Sequence, residues 1–230
     1  MTPLVVIRPE PGCQATVAAA RAMGLDAHGF SLFEVGAVAW DPPEAGRFDA
    51  LLVGSGNVLR HGGAALFAYR ALPVHAVGEI TAGEARAAGF TDVRSGSGGL
   101  QSVLDSLQTD HKCLLRLAGK ERVALNPPPG VTIEERVVYE SAALPMPDSL
   151  AELLEKPCVV LLHSGEAARH FAAQCDARGI SRQSIAIAAL GPRIAEVAGH
   201  GWAAVQCAKV PQDQALLALA QGMCQTSAKS

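Results

Sequence analysis

Aromatic side chains are scarce in this chain of 230 residues: two tryptophans, two tyrosines and six phenylalanines, 4% of the whole. So few rings cannot build the stacking platforms on which single-stranded nucleic acids lie. A net basic charge is missing too. Nineteen Lys and Arg against 22 Asp and Glu leave −3, so no global field draws in nucleic acid or an anionic membrane. An anionic small ligand stays open, because a cleft needs only local basic groups. No apolar run is long enough to span a bilayer. The start, Met1-Thr2-Pro3-Leu4-Val5-Val6-Ile7-Arg8, is too short and lacks the basic region of a secretion signal. The six cysteines (Cys13, Cys113, Cys158, Cys175, Cys207, Cys224) form no C-x-x-C pair and read as small buried hydrophobes in a reducing compartment. Seven histidines are dispersed without metal-ligand spacing. The G-x-G-x-x-G, Walker, G-x-S-x-G and H-E-x-x-H patterns are all missing, so neither a metal nor another cofactor is expected. These exclusions predict a soluble, cytoplasmic protein, with no long apolar patch or heptad asking for a second copy.

What is present is a repeat. Leu51-Leu52-Val53-Gly54-Ser55-Gly56-Asn57, then Pro73-Val74-His75-Ala76-Val77-Gly78-Glu79, closes with Ala88-Gly89-Phe90. Val159-Val160-Leu161-Leu162-His163-Ser164-Gly165, then Ile185-Ala186-Ile187-Ala188-Ala189-Leu190-Gly191-Pro192, closes with His200-Gly201-Trp202. Each copy reads as an apolar strand ending at a Ser/Gly turn, a helix, a second strand ending at Gly, and a second helix. With 49% hydrophobic residues, the strands can be buried on both faces, as parallel sheets require. Two similar α/β domains follow, and such pairs commonly hold a ligand between them.

Leu4–Ile7 reads as a buried strand, about Ala15 to Met23 as a helix ended by Gly24, and His28–Glu34 as extended. Asp41-Pro42-Pro43 marks a crossing between domains, and the alternating, charged run Ile133–Glu140 a return crossing. The expected organisation is one discontinuous domain, residues 1–35 plus 143–230, and one inserted domain, 40–132. Linker strands at about 34–39 and 133–142 form a two-stranded hinge.

Ser55, Gly78, Ser164 and Gly191 stand where a parallel strand hands over to a helix. Small residues there bare backbone N–H groups for carboxylates or phosphates, although they also simply permit tight turns. Arg8, Arg60, Lys120, Arg122 and Arg193 lie just beyond strand ends; each alone is a solvated surface charge, and together they suit a polyanion. Tyr139, in the return crossing, is either packing or a phenol that donates a proton or hydrogen bond. His61, His75 and His163, also near strand ends, are taken as structural.

The chain resembles the uroporphyrinogen-III synthase family. The resemblance covers nearly the whole length and rests on Ile7-Arg8-Pro9-Glu10-Pro11-Gly12, Phe48–Val53 leading into Ser55-Gly56-Asn57, and Val77-Gly78-Glu79-Ile80-Thr81-Ala82. Leu117-Ala118-Gly119-Lys120-Glu121-Arg122, Val137-Val138-Tyr139-Glu140, His163-Ser164, Leu190-Gly191-Pro192-Arg193-Ile194-Ala195, Ala208-Lys209-Val210-Pro211 and Ala215-Leu216-Leu217 complete it. It implies two flavodoxin/Rossmann-like parallel α/β domains joined by a two-stranded hinge; a monomer is expected from the lack of an apolar patch or heptad. It also implies a cofactor-free lyase that cyclises hydroxymethylbilane to uroporphyrinogen III, inverting the terminal pyrrole through a spiro intermediate. By position, Tyr139 is implied to assist loss of hydroxide. By the same match, Ser55, Thr81 and Ser164 are implied to anchor substrate arms; the strand-end reading adds Arg8, Gly56, Asn57, Gly78, Lys120, Arg122, Gly191 and Arg193 to the expected substrate-binding set. A transient contact with porphobilinogen deaminase fits the same reading, with no nucleic acid and no membrane. The family often carries threonine after Gly191-Pro192, where this chain has Arg193-Ile194; that makes a non-catalytic tetrapyrrole-binding or regulatory module the alternative. A phosphosugar isomerase is disfavoured by the lack of an acid/base pair.

Overall fold

The computed structural model describes residues 2–107 and 111–226. It divides into two compact units, Met1–Glu34 with Ala142–Ser230, and Val35–Ser141.

In the first unit, β1 (Leu4–Val6), β2 (Ala27–Gly29), β9 (Cys158–Leu162), β10 (Ile185–Ala189) and β11 (Ala204–Cys207) form one parallel sheet. Its order is β11-β10-β9-β1-β2. The central strands are apolar at every position because helices cover both faces. On one face Val160, Leu162, Ile185 and Ile187 pack with Phe171 of α6 (Gly165–Ala177) and with Trp202. On the other, Val159, Leu161, Ala186 and Ala188 meet α1 (Gly12–Ala22) and α8 (Asp213–Thr226). The remaining helices here are α5 (Asp148–Leu154) and α7 (Pro192–Ala198). The chain order reverses between β1 and β9, the switch point beside which open α/β sheets bind ligands. Helix α1 starts at Gly12 rather than near Ala15, because Cys13 N donates to Pro9 O and Gln14 N to the Glu10 carboxylate. Its C-terminus is closed by Gly24 at φ +79.

The second unit holds β3 (Phe33–Ala37), β4 (Ala50–Val53), β5 (Val74–Val77), β6 (Val93–Gly96), β7 (Cys113–Gly119) and β8 (Thr132–Ala143), in the order β3-β8-β7-β4-β5-β6. Its switch point lies between β4 and β7. Helices α2 (Asn57–His61), α3 (Gly78–Ala87) and α4 (Leu100–Asp105) complete it.

Two sequence expectations change here. The stretch read as a return crossing does more than cross: β8 is an inner strand, running parallel to β7 from Cys113↔Thr132 to Gly119↔Tyr139. The first helix of the earlier repeat copy is also not the equal of its counterpart. Where α6 runs for 13 residues, α2 stops after five. Gly62 and Gly63 break it, Gly63 at φ +70, and a 3₁₀ turn over Ala64–Tyr69 replaces the rest.

Candidate functional site

A cavity of about 440 Å³ opens at the carboxyl ends of β4 and β7, at the switch point of the second unit. Val58, Leu100, Leu117 and Leu125 supply apolar wall, while Ser55, Arg116, Arg122 and Tyr139 bring polar groups. An apolar pocket with a few convergent polar groups is the usual form of a small-molecule site.

Tyr139 owes its place to a β-bulge. Ala118 pairs with Val137 but Gly119 pairs with Tyr139, leaving Val138 as the extra residue, buried in the core. A bulge re-aims the side chain that follows it. The ring then lies against Gly119, where an added Cβ would stand 2.6 Å from Tyr139 Cζ. Its hydroxyl makes no hydrogen bond among the described residues, and the His61 ring is 6.4 Å away, centroid to centroid.

Ser55 accepts a hydrogen bond at Oγ from Asn57 N, 3.2 Å away, and so closes the turn before α2. A hydroxyl that accepts in a cap still has its own proton to donate. Gly56 leaves room for the Glu84 side chain, which a Cβ would strike, and Glu84 pairs with Arg60. The Asn57 carboxamide oxygen accepts from Arg60 Nη2 at 2.9 Å. Lys120 is exposed and paired with Glu140.

Gly78 opens α3 at φ +74, a left-handed conformation that favours glycine, and no side chain caps this helix. Its first N–H groups therefore stay available. Thr81, only 7% exposed, has a hydroxyl with no partner among the described residues. Neither Gly78 nor Thr81 lines the cavity.

In the first unit, Arg8 follows β1 and His163 follows β9. Arg8 is held by Asp213 and donates to Thr16 Oγ1 at 3.3 Å. Burial, helped by the Arg8 charge and opposed by Asp213, pushes the His163 imidazole down to about 4. Its Nε2 lies 3.7 Å from Asp213 Oδ1. Ser164 caps α6, accepting from Ala167 N at 3.1 Å. Gly191 caps α7 with no side chain, Arg193 is exposed, and Ile194 packs on the core.

A family model described as uroporphyrinogen-III synthase HemD matches residues 14–218. The chain belongs to the uroporphyrinogen-III synthase family. It is a lyase that cyclises hydroxymethylbilane in tetrapyrrole biosynthesis. Solved structures of the family share the fold. The uroporphyrinogen-III synthetase of Helicobacter pylori 26695 is 18% identical, with 97% of this chain and 100% of that one covered and a TM-score of 0.66. A mutant uroporphyrinogen III synthase from the extremely thermophilic bacterium Thermus thermophilus is 18% identical over 100% of both chains, with a TM-score of 0.54. No curated protein gives a significant match.

Of the side chains that the sequence singled out for substrate, the cavity gathers Ser55, Arg122 and Tyr139. Sequence reasoning missed Arg116, 5% exposed on β7, and Glu135 beside it on β8. A signal for Arg116 existed: one arginine inside the otherwise apolar run Cys113–Gly119, where a buried charge needs a partner. Among the described residues no group of three or more His, Cys, Asp or Glu could hold a metal ion, and no helix is long and apolar enough to cross a membrane.

Proposed function

We propose that Tyr139 is the general acid of the cyclisation and that the cavity at the ends of β4 and β7 receives the hydroxymethyl-bearing pyrrole. The observation that carries this reading is the phenol itself: a hydroxyl without a partner among the described residues, re-aimed by a bulge and seated on Gly119 in a cavity with apolar walls. The phenol gives its proton to the departing hydroxyl, which leaves as water. The resulting azafulvene is attacked by the substituted carbon of the last pyrrole, giving the spiro intermediate. The bond from that carbon to its original bridging carbon then breaks, and the freed bridging carbon closes on the unsubstituted α-carbon on the other side of the ring nitrogen, which inverts that ring. The proton released on rearomatisation returns to the tyrosinate, so the protein is unchanged.

The acetate and propionate arms require anchors. Arg122, Ser55, Thr81 and the bare amides at Gly78 serve in the second unit; Ser164 and the Gly191 turn serve in the first. Arg8, Gly56, Asn57, Lys120 and Arg193 belong to the same implied set. Of these, Arg8, Asn57 and Lys120 already hold protein partners. The substrate closes unaided to the uninverted isomer, so the enzyme chiefly holds two reacting ends in place. All six cysteines are free, in keeping with the cytoplasm. A transient contact with porphobilinogen deaminase shortens the exposure of a reactive intermediate.

The test is an isomer assay in which porphobilinogen deaminase generates hydroxymethylbilane in place. Uroporphyrinogen III that scales with added protein is expected. Tyr139→Phe lowers kcat by about a hundredfold, the low end of what general acid catalysis supplies. Wild-type kcat in this variant removes Tyr139 from the chemistry.

A further inference from the structure

Under the cavity, two arginines share one carboxylate. Arg116 and Glu135 are register partners on β7 and β8, so their side chains stand side by side on one face. Arg116 Nη1 donates to Glu135 Oε1 at 2.6 Å and Nη2 to Val123 O at 2.9 Å. The other carboxylate oxygen, Oε2, accepts from Arg122 Nε at 2.8 Å. Arg122 Nη1 reaches its own loop at Lys120 O, 3.0 Å away. Two of the three guanidinium nitrogens of Arg122 are thereby fixed by protein, and Nη2 has no protein acceptor among the described residues.

The charges are unequal. Arg116 and Arg122 carry two positive charges against the one of Glu135, whose carboxyl is held below the ordinary range by the two guanidiniums despite its burial. Arg116 is the deep member, with a side chain 6% exposed against 31% for each of the other two, and its Nε is buried with no partner. Glu121, also at the cavity, is exposed beside Lys120, where water weakens its field far more than that of a buried ion. Lys120 is already paired with Glu140. One positive charge therefore remains unspent beneath a cavity that an anionic arm enters.

We propose that Glu135, clamped from beneath by the buried Arg116, is a positioning residue that aims the open edge of the Arg122 guanidinium at a carboxylate arm of the tetrapyrrole. This rests on the reading that Arg122 touches substrate, and deepens it. A guanidinium held in one orientation loses less freedom on binding than a free surface arginine, and its planar fork suits a carboxylate.

A double-mutant cycle tests the proposal, with KM and kcat read separately in the coupled assay. Arg122→Ala raises KM at least tenfold. Glu135→Gln removes one acceptor and the charge, and raises KM about tenfold with kcat within twofold of wild type. In the Arg122→Ala background, Glu135→Gln adds nothing, because Glu135 acts through Arg122. Glu135→Asp, which can keep only one of the two contacts, gives a smaller rise and guards against a Gln variant that fails to fold. If Glu135→Gln shifts KM by the same factor with and without Arg122, or if both Glu135 variants match wild type, the proposal is overturned. If Arg122→Ala alone leaves KM unchanged, the underlying assignment of Arg122 falls instead.

Discussion

Gly119 shows how much a missing side chain can position. It carries no unusual backbone angle; what it provides is the space in which the Tyr139 ring sits. Gly119→Ala places a methyl 2.6 Å from that ring, so either the ring turns or the strand shifts. Overpacking of this kind costs about 1–3 kcal/mol. The expected outcome is a lower kcat at nearly unchanged KM, with a measurable loss in thermal midpoint. Thr81 makes a contrasting case: the residue is 7% exposed, and its hydroxyl has no partner among the described residues. Thr81→Val keeps the shape and removes the oxygen. If that hydroxyl holds a carboxylate arm, losing a charge-assisted hydrogen bond of about 1.5 kcal/mol raises KM by roughly tenfold, measured in the coupled assay with thermal stability unchanged. At this scale the sequence was only partly legible. Tyr139 could be singled out from its place in the return crossing and the motif around it, and the structure puts its ring on the wall of the cavity. The Arg116–Glu135 pair could not be, since nothing in spacing alone tells that residues 19 apart are register partners on neighbouring strands.

Among the elements, the strands were the more readable. Runs such as Leu51–Val53 and Val159–Leu162 are apolar at every position, and that composition is what a strand covered by helices on both faces demands. The strand ends followed from their Ser and Gly residues. What the residues at those ends do was harder to read, because one chemistry serves two purposes: Ser164 accepts a hydrogen bond from Ala167 N as a capping serine does, and Ser55 accepts from Asn57 N in the turn before α2. Ser164→Ala should cost about 1 kcal/mol of stability through loss of the cap. Thermal unfolding shows that loss, and a rise in KM beyond it would mark a separate substrate contact. The shortness of α2 escaped notice because Gly62 and Gly63 interrupt what would otherwise read as one helix with the following turn. The bulge at Val138 was invisible for a related reason: it exists only in the pairing of two strands.

Over the whole molecule, two histidines set an acid limit. Burial, then the neighbouring His111 and Arg94, pushes His75 down to about 4, and His163 lies at a similar value. Both are neutral in the folded protein and take up protons near 6.5 once unfolded, so the unfolded state binds more protons between about pH 6.5 and 4. Stability therefore falls as pH drops through that window. The thermal midpoint should decline by several degrees from pH 7 to pH 5, and His75→Gln should flatten the decline.

The two-unit division has a consequence in time. Leu144 N donates to Leu32 O at 2.9 Å, so the chain returns to the first unit beside the point where it left. On the ribosome, the second unit has all its strands as soon as residue 143 has emerged, whereas β1 still waits for β9, made some 150 residues after it. The guest is finished before its host. A nascent chain halted near residue 190, with the tunnel hiding its last few tens of residues, should already protect the second unit from protease while leaving Leu4–Gly29 open to cutting.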